Sequence, residues 1–341
     1  MRWSRRSFAL SVLLSGVAVP PARAQGASSP APTTPQTLRV MAFAGGWNLP
    51  LWVAEREGLF ARQGIALQLA YTPNSGALVD GLMSGRVDLA LASIDNLIAY
   101  QEGQGDGPPL ASPDMVAVMG VDNGFLSVVA KGSLRTLADL RGKRLAVDSL
   151  NTGFAFVLRE LLRREGLEES DVTFVRGGAT DLRFQGLVAG VYDATLLRTP
   201  FDLLAAERGF NTLATAEALG PYLGTTGFVR RSWATAHEAT LVGFLRAYRA
   251  AMQWLAEPAN RAATEALLVS NIKDMTPELA RRAAATLVDA PGGLLRDLRI
   301  DEPALRTGLD LRRRYGQPPR TLGEPARYVD LSYRAKALAA P

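Results

Sequence analysis

The sequence predicts an α/β protein with a helical C-terminal part, and three observations carry that reading. A short apolar run followed by an amphipathic segment recurs from Leu38 onward. Polar and Gly-rich clusters sit just beyond the apolar runs. After about residue 230 the apolar spacing becomes helical only. Alternation of this kind is the pattern of βα units around a parallel sheet.

The candidate strands are 38–43, 65–70, 87–92, 115–121, 125–130, 144–148, 172–176 and 192–197, each a short apolar run. Between them lie helical stripes at three- and four-residue spacing: Val79, Leu82 and Met83; Ile94, Leu97 and Ile98; Phe154, Val157, Leu158, Leu161 and Leu162. Such stripes are core faces, not cofactor boxes. In the last third, Leu241, Phe244, Leu245, Tyr248, Met252 and Leu255 fall on one helical face. Ala/Arg/Leu-rich segments continue to the end, as a set of helices packed on the α/β body.

Ahead of the first strand, residues 1–24 have a basic start, an apolar run from Phe8 to Val19, and Ala22-Arg23-Ala24 before Gln25. These are the three parts of an export signal cleaved after Ala24. Ser4-Arg5-Arg6-Ser7-Phe8 resembles the twin-arginine motif, with Ala9-Leu10 in place of its usual Leu-Lys ending, so the general secretion route stays open. Residues 25–36 are small, polar and Pro-rich and read as a flexible leader. No later stretch has the length and apolarity of a membrane span. Without a Cys to carry a lipid, retention requires an outer membrane, which points to a Gram-negative periplasm.

Composition narrows the chemistry. The 341 residues are 48% hydrophobic and 21% charged, with no Cys and one His. Disulfides, thiolate nucleophiles and Cys-ligated metals are excluded. One imidazole, His237, leaves metal and triad chemistry little to work with, and its Ala-rich helical setting reads as surface. No loop has the regular Asp/Asn spacing of a calcium site, and no metal or cofactor is expected. The net charge of +5 is concentrated in Arg2, Arg5, Arg6 and Arg23, without which residues 25–341 carry +1. Nucleic acid is therefore not an expected partner. Phosphate-cradling GxxxxGK[ST] and GxGxxG loops are absent from the sequence.

The polar clusters fall where open α/β sheets bind ligands, outside the carboxyl ends of strands and at helix N-termini. Gly46, Trp47 and Asn48 follow the first strand, with the indole able either to stack on a planar ligand or to pack between helices. Ser93, Asp95 and Asn96 open the helix after the third, where capping and dipole pairing alone also explain Ser93 and Asp95. Asn151, Thr152 and Gly153 combine small hydrogen-bonding groups with close backbone approach, and Asn151 or Thr152 also suits a cap. Thr180 follows Gly177-Gly178-Ala179. Arg198, after an apolar strand, offers bidentate pairing to a carboxylate or sulfonate, or else an interlobe salt bridge. Asp95, Asp122 and Asp148 would place several carboxylates near one cleft, and Asp122-Asn123-Gly124 also reads as a turn. Arg198 and Asp95 together would select a zwitterion or a heterocycle with an acidic arm.

Four stretches, GGWNLPLWVAEREGLFARQGI (45–65), LVDGLMSGRVDLALASIDNLIAYQEGQG (78–105), DLRGKRLAVDSLNTGFAFVLRELLRREGL (139–167) and YLGTTGFVRRSWA (222–234), together resemble one transport family. It is the NMT1/THI5-like group of periplasmic solute-binding proteins of ABC importers, relatives of the sulfonate, taurine, nitrate and thiamine-precursor binders. The resemblance implies a type II periplasmic-binding-protein fold, two α/β lobes joined by two crossover strands that close on a ligand. Lobe one would hold 37–122 and 228–341, and lobe two 125–226. It further implies a monomer that delivers a small polar organic solute to an ABC permease and its ATPase. Two other functions share the fold: a sensor domain for a membrane receptor, and a THI5-like pyrimidine-precursor enzyme using an active-site His and pyridoxal phosphate. The enzyme needs a cleft His and a Schiff-base Lys, whereas the only Lys residues here, Lys131, Lys143, Lys273 and Lys336, lie outside the loop clusters.

Overall fold

The computed structural model describes residues 35–339. Residues 1–34, read above as an export signal and most of a leader, lie outside the described residues. Strand β1 (Gln36–Ala42) begins within the segment read as leader, because Gln36 pairs with Ile65 and its amide bonds to the Gly64 carbonyl.

In chain order, β1 is followed by α1 (Leu49–Arg56), α2 (Leu59–Arg62), β2 (Ile65–Tyr71), α3 (Ser75–Met83), β3 (Leu89–Ser93), α4 (Ile94–Gln101) and β4 (Met115–Gly120). A second run comprises β5 (Leu126–Ala130), β6 (Arg144–Val147), α5 (Gly153–Arg164), β7 (Thr173–Arg176), α6 (Thr180–Val188), β8 (Ala194–Arg198), α7 (Phe201–Ala206) and β9 (Asn211–Thr215). The chain then returns as β10 (Thr225–Arg230) and continues through α8 (Arg231–Ala236), α9 (Glu238–Ala256), α10 (Arg261–Asn271), α11 (Pro277–Ala284), α12 (Glu302–Tyr315) and α13 (Ser332–Leu338). Among the described residues, no helix is long and apolar enough to cross a membrane.

Two five-stranded sheets result, ordered β2-β1-β3-β10-β4 and β7-β6-β8-β5-β9. β1, β2 and β3 run parallel, as do β6, β7 and β8, but β10 and β5 run antiparallel to both neighbours. The expectation of a parallel sheet is corrected to two mixed sheets. The reason is topological: the reversed strands are those by which the chain enters a sheet from the other lobe, with no βα crossover to enforce parallel pairing.

All eight strands read from the sequence are present, within two residues at each end. β9 and β10 carry no long apolar run, reading Asn-Thr-Leu-Ala-Thr and Thr-Thr-Gly-Phe-Val-Arg. Thr226 in β10 is fully buried because its hydroxyl donates to the Ala92 carbonyl at 3.2 Å. A hydrogen-bonded threonine is thereby made compatible with the core.

Every helical stripe named from spacing is buried except Met83 and Phe154, which are partly exposed. Helix α9 lays Leu241, Phe244, Leu245, Tyr248, Met252 and Leu255 against α1, α2 and α13. The C-terminal helices do not rest on the first lobe alone: α11 touches α7, and α12 lies between α4 and α5.

Candidate functional site

The strand carboxyl ends of both lobes converge on one narrow cavity. β3 and α4 contribute Leu91, Ala92, Ser93 and Asn96; the loop after β1 contributes Phe43 and Trp47; β10 contributes Thr225. From the second lobe come Asp148, Gly153, Phe154, Thr180, Arg183 and Arg198. Thus the first turns of α4, α5 and α6, from both lobes, border one space, and their free N–H groups make it receptive to negative charge.

Arg198 is the centre of the site's electrostatics. Its side chain is 3% exposed, and its Nη2 donates to Asp122 Oδ2 at 2.6 Å while Nη1 donates to Thr225 Oγ1 at 3.0 Å. The guanidinium lies 4.0 Å from the Trp47 ring centroid and 4.6 Å from that of Phe125, aromatic contacts suited to a delocalised cation. Its Nε is buried with no partner in the protein, a donor for which a bound acceptor is the natural complement.

Arg183, 1% exposed, is held by protein acceptors: Nη1 by the Gly178 carbonyl, Nη2 by Thr180 Oγ1 and the Leu196 carbonyl, and Nε by Leu196 again. Asp148 accepts from the Thr152 hydroxyl at 2.7 Å. Burial pushes the Asp148 carboxyl up from its ordinary value, against the nearby positive charge of Arg183 and the Thr152 bond. Burial lowers Arg183, and Asp148 opposes that.

Of the residues named from sequence, Trp47, Ser93, Asn96, Gly153, Thr180 and Arg198 border the cavity. Gly46, Asn48, Asp95, Asp122, Asn151 and Thr152 are absent from its lining. Gly46 fills a tight contact, since an added Cβ would sit 2.8 Å from Leu287 Cδ1. Asn48 Nδ2 donates to the Phe43 and Gly45 carbonyls and shapes the loop that carries Trp47. Ser93 caps α4 through the Asp95 amide, as its capping alternative required. Thr152 occupies the N-cap position of α5, yet its hydroxyl turns to Asp148 and the Ser149 carbonyl instead of capping. Asp122 serves both Arg198 and the turn read at 122–124, accepting from the Gly124 amide at 2.8 Å.

Asp95 is engaged elsewhere, by Arg312, so the carboxylate bordering the cavity is Asp148. Asn151 does not cap either; its side chain bonds the Gln104 and Gln317 backbones. The sequence reading did not name Phe43, Phe154, Arg183 and Thr225 as site residues. Gly177-Gly178 followed by Thr180 was the available signal for Arg183, three residues on in the same helix. Among the described residues, no group of three or more His, Asp or Glu could hold a metal ion. His237 is half-buried against Trp233, and neither it nor any Lys borders this cavity. Lys273 instead lines a wider, more open pocket shared with Trp52, Tyr71 and Phe201.

The family described as NMT1/THI5 like matches residues 48–262, more than half of the chain. The chain belongs to the NMT1/THI5-like family. Comparison with curated protein sequences gives no match. Among solved structures, the alkanesulfonate-binding protein SsuA from Xanthomonas axonopodis pv. citri, bound to MOPS, is 21% identical with a TM-score of 0.69, covering 87% of this chain and 99% of its own. The periplasmic nitrate-binding protein NrtA from Synechocystis PCC 6803 is 16% identical, with a TM-score of 0.69 and coverage of 89% and 84%. A Candida albicans gene product with the generic periplasmic binding protein fold is 14% identical, with a TM-score of 0.66 and coverage of 89% and 94%. This NMT1/THI5-like chain therefore has the periplasmic-binding-protein fold: two mixed α/β lobes joined at 121–125 and 216–224.

Proposed function

We propose that this protein is the periplasmic solute-binding component of an ABC importer, closing its lobes on a small organic solute that carries an anionic or strongly accepting group on a planar or aromatic frame. The observation that carries the reading is the unpartnered, buried Nε of Arg198 at a cavity bordered by Trp47, Phe43 and Phe154 and by three helix N-termini. A sulfonate, carboxylate or ring carbonyl satisfies that donor, and the aromatic side chains suit a flat body. Because Asp122 already balances Arg198, an acidic group is accepted through hydrogen bonds and helix dipoles more than through net charge. The sulfonate- and nitrate-binding proteins of similar fold are in keeping with this ligand class. The periplasmic setting of the nitrate-binding protein agrees with the reading of residues 1–24 as an export signal. The reading favours binding over pyridoxal-dependent catalysis, since no Lys or His borders the cavity.

A thermal-shift screen of residues 25–341 against MOPS and other sulfonates, nitrate, aromatic carboxylates, pyrimidines, amino acids and polyamines tests it. Ligand at a hundred times its Kd stabilises by about 2.7 kcal/mol, a shift of a few degrees. An aromatic or sulfonated acid is expected to give the shift without being consumed, and Arg198→Met is expected to abolish it. Conversion of any panel compound to product would overturn the binding assignment; an Arg198→Met protein that bound the same acid unchanged would overturn the arginine's role.

A further inference from the structure

Adjoining the cavity, a second polar cluster joins the two lobes through a helix that contributes nothing to the cavity lining. Arg312, at the C-terminal end of α12, is fully buried. Its Nε and Nη2 donate to the two carboxylate oxygens of Asp95, each at 2.6 Å, and Nη1 donates to Gln104 Oε1 at 3.2 Å. Asp95 and Gln104 belong to the first lobe. The same Nη2 donates across to the Asn151 carbonyl of the second lobe at 3.0 Å, and the guanidinium lies 4.9 Å from the Phe156 ring of α5.

Asn151 completes the join with its side chain. Nδ2 donates to the Gln104 carbonyl and the Gln317 carbonyl, each at 2.6 Å, while Oδ1 accepts from the Gln317 amide at 2.9 Å. Gln104 in turn donates to the Pro318 carbonyl at 2.7 Å. The placement matters because Asp95 stands between the cavity residues Ser93 and Asn96, and Asn151 stands two residues before Gly153. Space between them is already at its minimum: a Cβ on Gly153 would lie 2.6 Å from Asp95 Cβ.

We propose that Arg312 and Asn151 form an interlobe clasp, positioning the N-termini of α4 and α5 against each other so that the open–closed equilibrium is biased from outside the cavity. The inference rests on the reading that the lobes close around a solute. Opening must break the Asn151 bond to Gln104, together with either the Arg312 bonds to Asp95 and Gln104 or the contacts of α12 with Asn151, Phe156 and Glu160. The bidentate, buried guanidinium–carboxylate pair is the stronger side. The Asn151 bond is lost by either route, and its half-buried side chain then exchanges its partners for water.

The chain has no Cys, so a Gln68→Cys and Val191→Cys pair places one exposed nitroxide on β2 and another beyond α6. Electron–electron double resonance without added solute then reads the interlobe distance directly. The otherwise unchanged protein is expected to show one dominant distance. Asn151→Ala is expected to add a second, with the open population raised about tenfold and the melting temperature held within a few degrees. Gln317→Ala, which removes a side chain outside the clasp and keeps the backbone bonds, is expected to match the unsubstituted protein. An unchanged distance in Asn151→Ala, an equal change in both variants, or a largely open parent would overturn the clasp. Should Asn151→Ala not fold, Asn151→Ser gives the same readout. No ligand enters the measurement, so the clasp and the solute-binding reading fail independently.

Discussion

Asp122 and Arg198 show how a site residue and a fold residue become the same residue. The pair is buried and its partners lie 76 positions apart in sequence, so removing one side strands the other. Arg198→Ala leaves the Asp122 carboxylate unpaired and is expected to lower stability by about 3–5 kcal/mol in urea unfolding. Adding Asp122→Asn is expected to restore most of that loss, by the logic of a double-mutant cycle. Asp148 titrates in the opposite sense to a salt-bridged acid. Its folded value is raised by burial, so between the ordinary carboxylate value near 3.9 and that raised value the folded state holds the extra proton, and stability falls as pH rises. Asp148→Asn keeps an acceptor for Thr152 and is expected to gain melting temperature over the parent progressively as pH rises above about 4. At this scale the sequence was only partly legible. Ser93, Asp95 and Asn96 sit together on the opening of one helix, but which carboxylate turned inward depended on Arg312, 217 residues away, and no local pattern encodes that.

At the level of elements, α5 is both a wall of the cavity and one side of a helix pair. Its N-terminus depends on Gly153, where the neighbouring lobe leaves no room for a side chain. Gly153→Ala is expected to push the lobes apart and to lower stability by roughly 1–3 kcal/mol, the usual range for overpacking, with a larger radius of gyration by X-ray scattering. Further along, Glu160 collects Arg163 and Arg164 from its own helix and Arg314 and Tyr315 from α12. Arg163 contributes most to holding its carboxyl far below the usual range. A depressed acid stabilises fully above its unfolded value, near 4.3, and ceases to do so as pH falls through the folded one. Acid unfolding below about pH 4 should accordingly be shallower in Glu160→Gln than in the parent. The elements themselves were the most legible part of the sequence, because eight apolar strands and the helix stripes announce their burial directly. β9 escaped because it is an edge strand with no buried residue, and β10 because much of its burial is carried by threonine and glycine, which read as loop in the absence of the partner strands.

Across the whole molecule, the strand–helix alternation and the point where strands stop were readable, while strand direction was not. Alternation reports what each segment buries, whereas direction depends on which lobe the chain comes from. The division of the C-terminal helices between lobes was equally hidden, since α12 faces α4 and α5 with one continuous surface. The exchange of strands also sets an order in time. The second sheet is built from a single stretch, 126–215, but the first keeps an empty place between β3 and β4 until β10 emerges more than a hundred residues later. As the chain folds, the later lobe can therefore finish before the earlier one. A fragment ending at residue 122 is expected to stay unfolded by circular dichroism, and one spanning 123–224 to fold. Until residue 230 arrives, β3 and β4 present unsatisfied edges, the point in this protein's life when it most needs a holding partner.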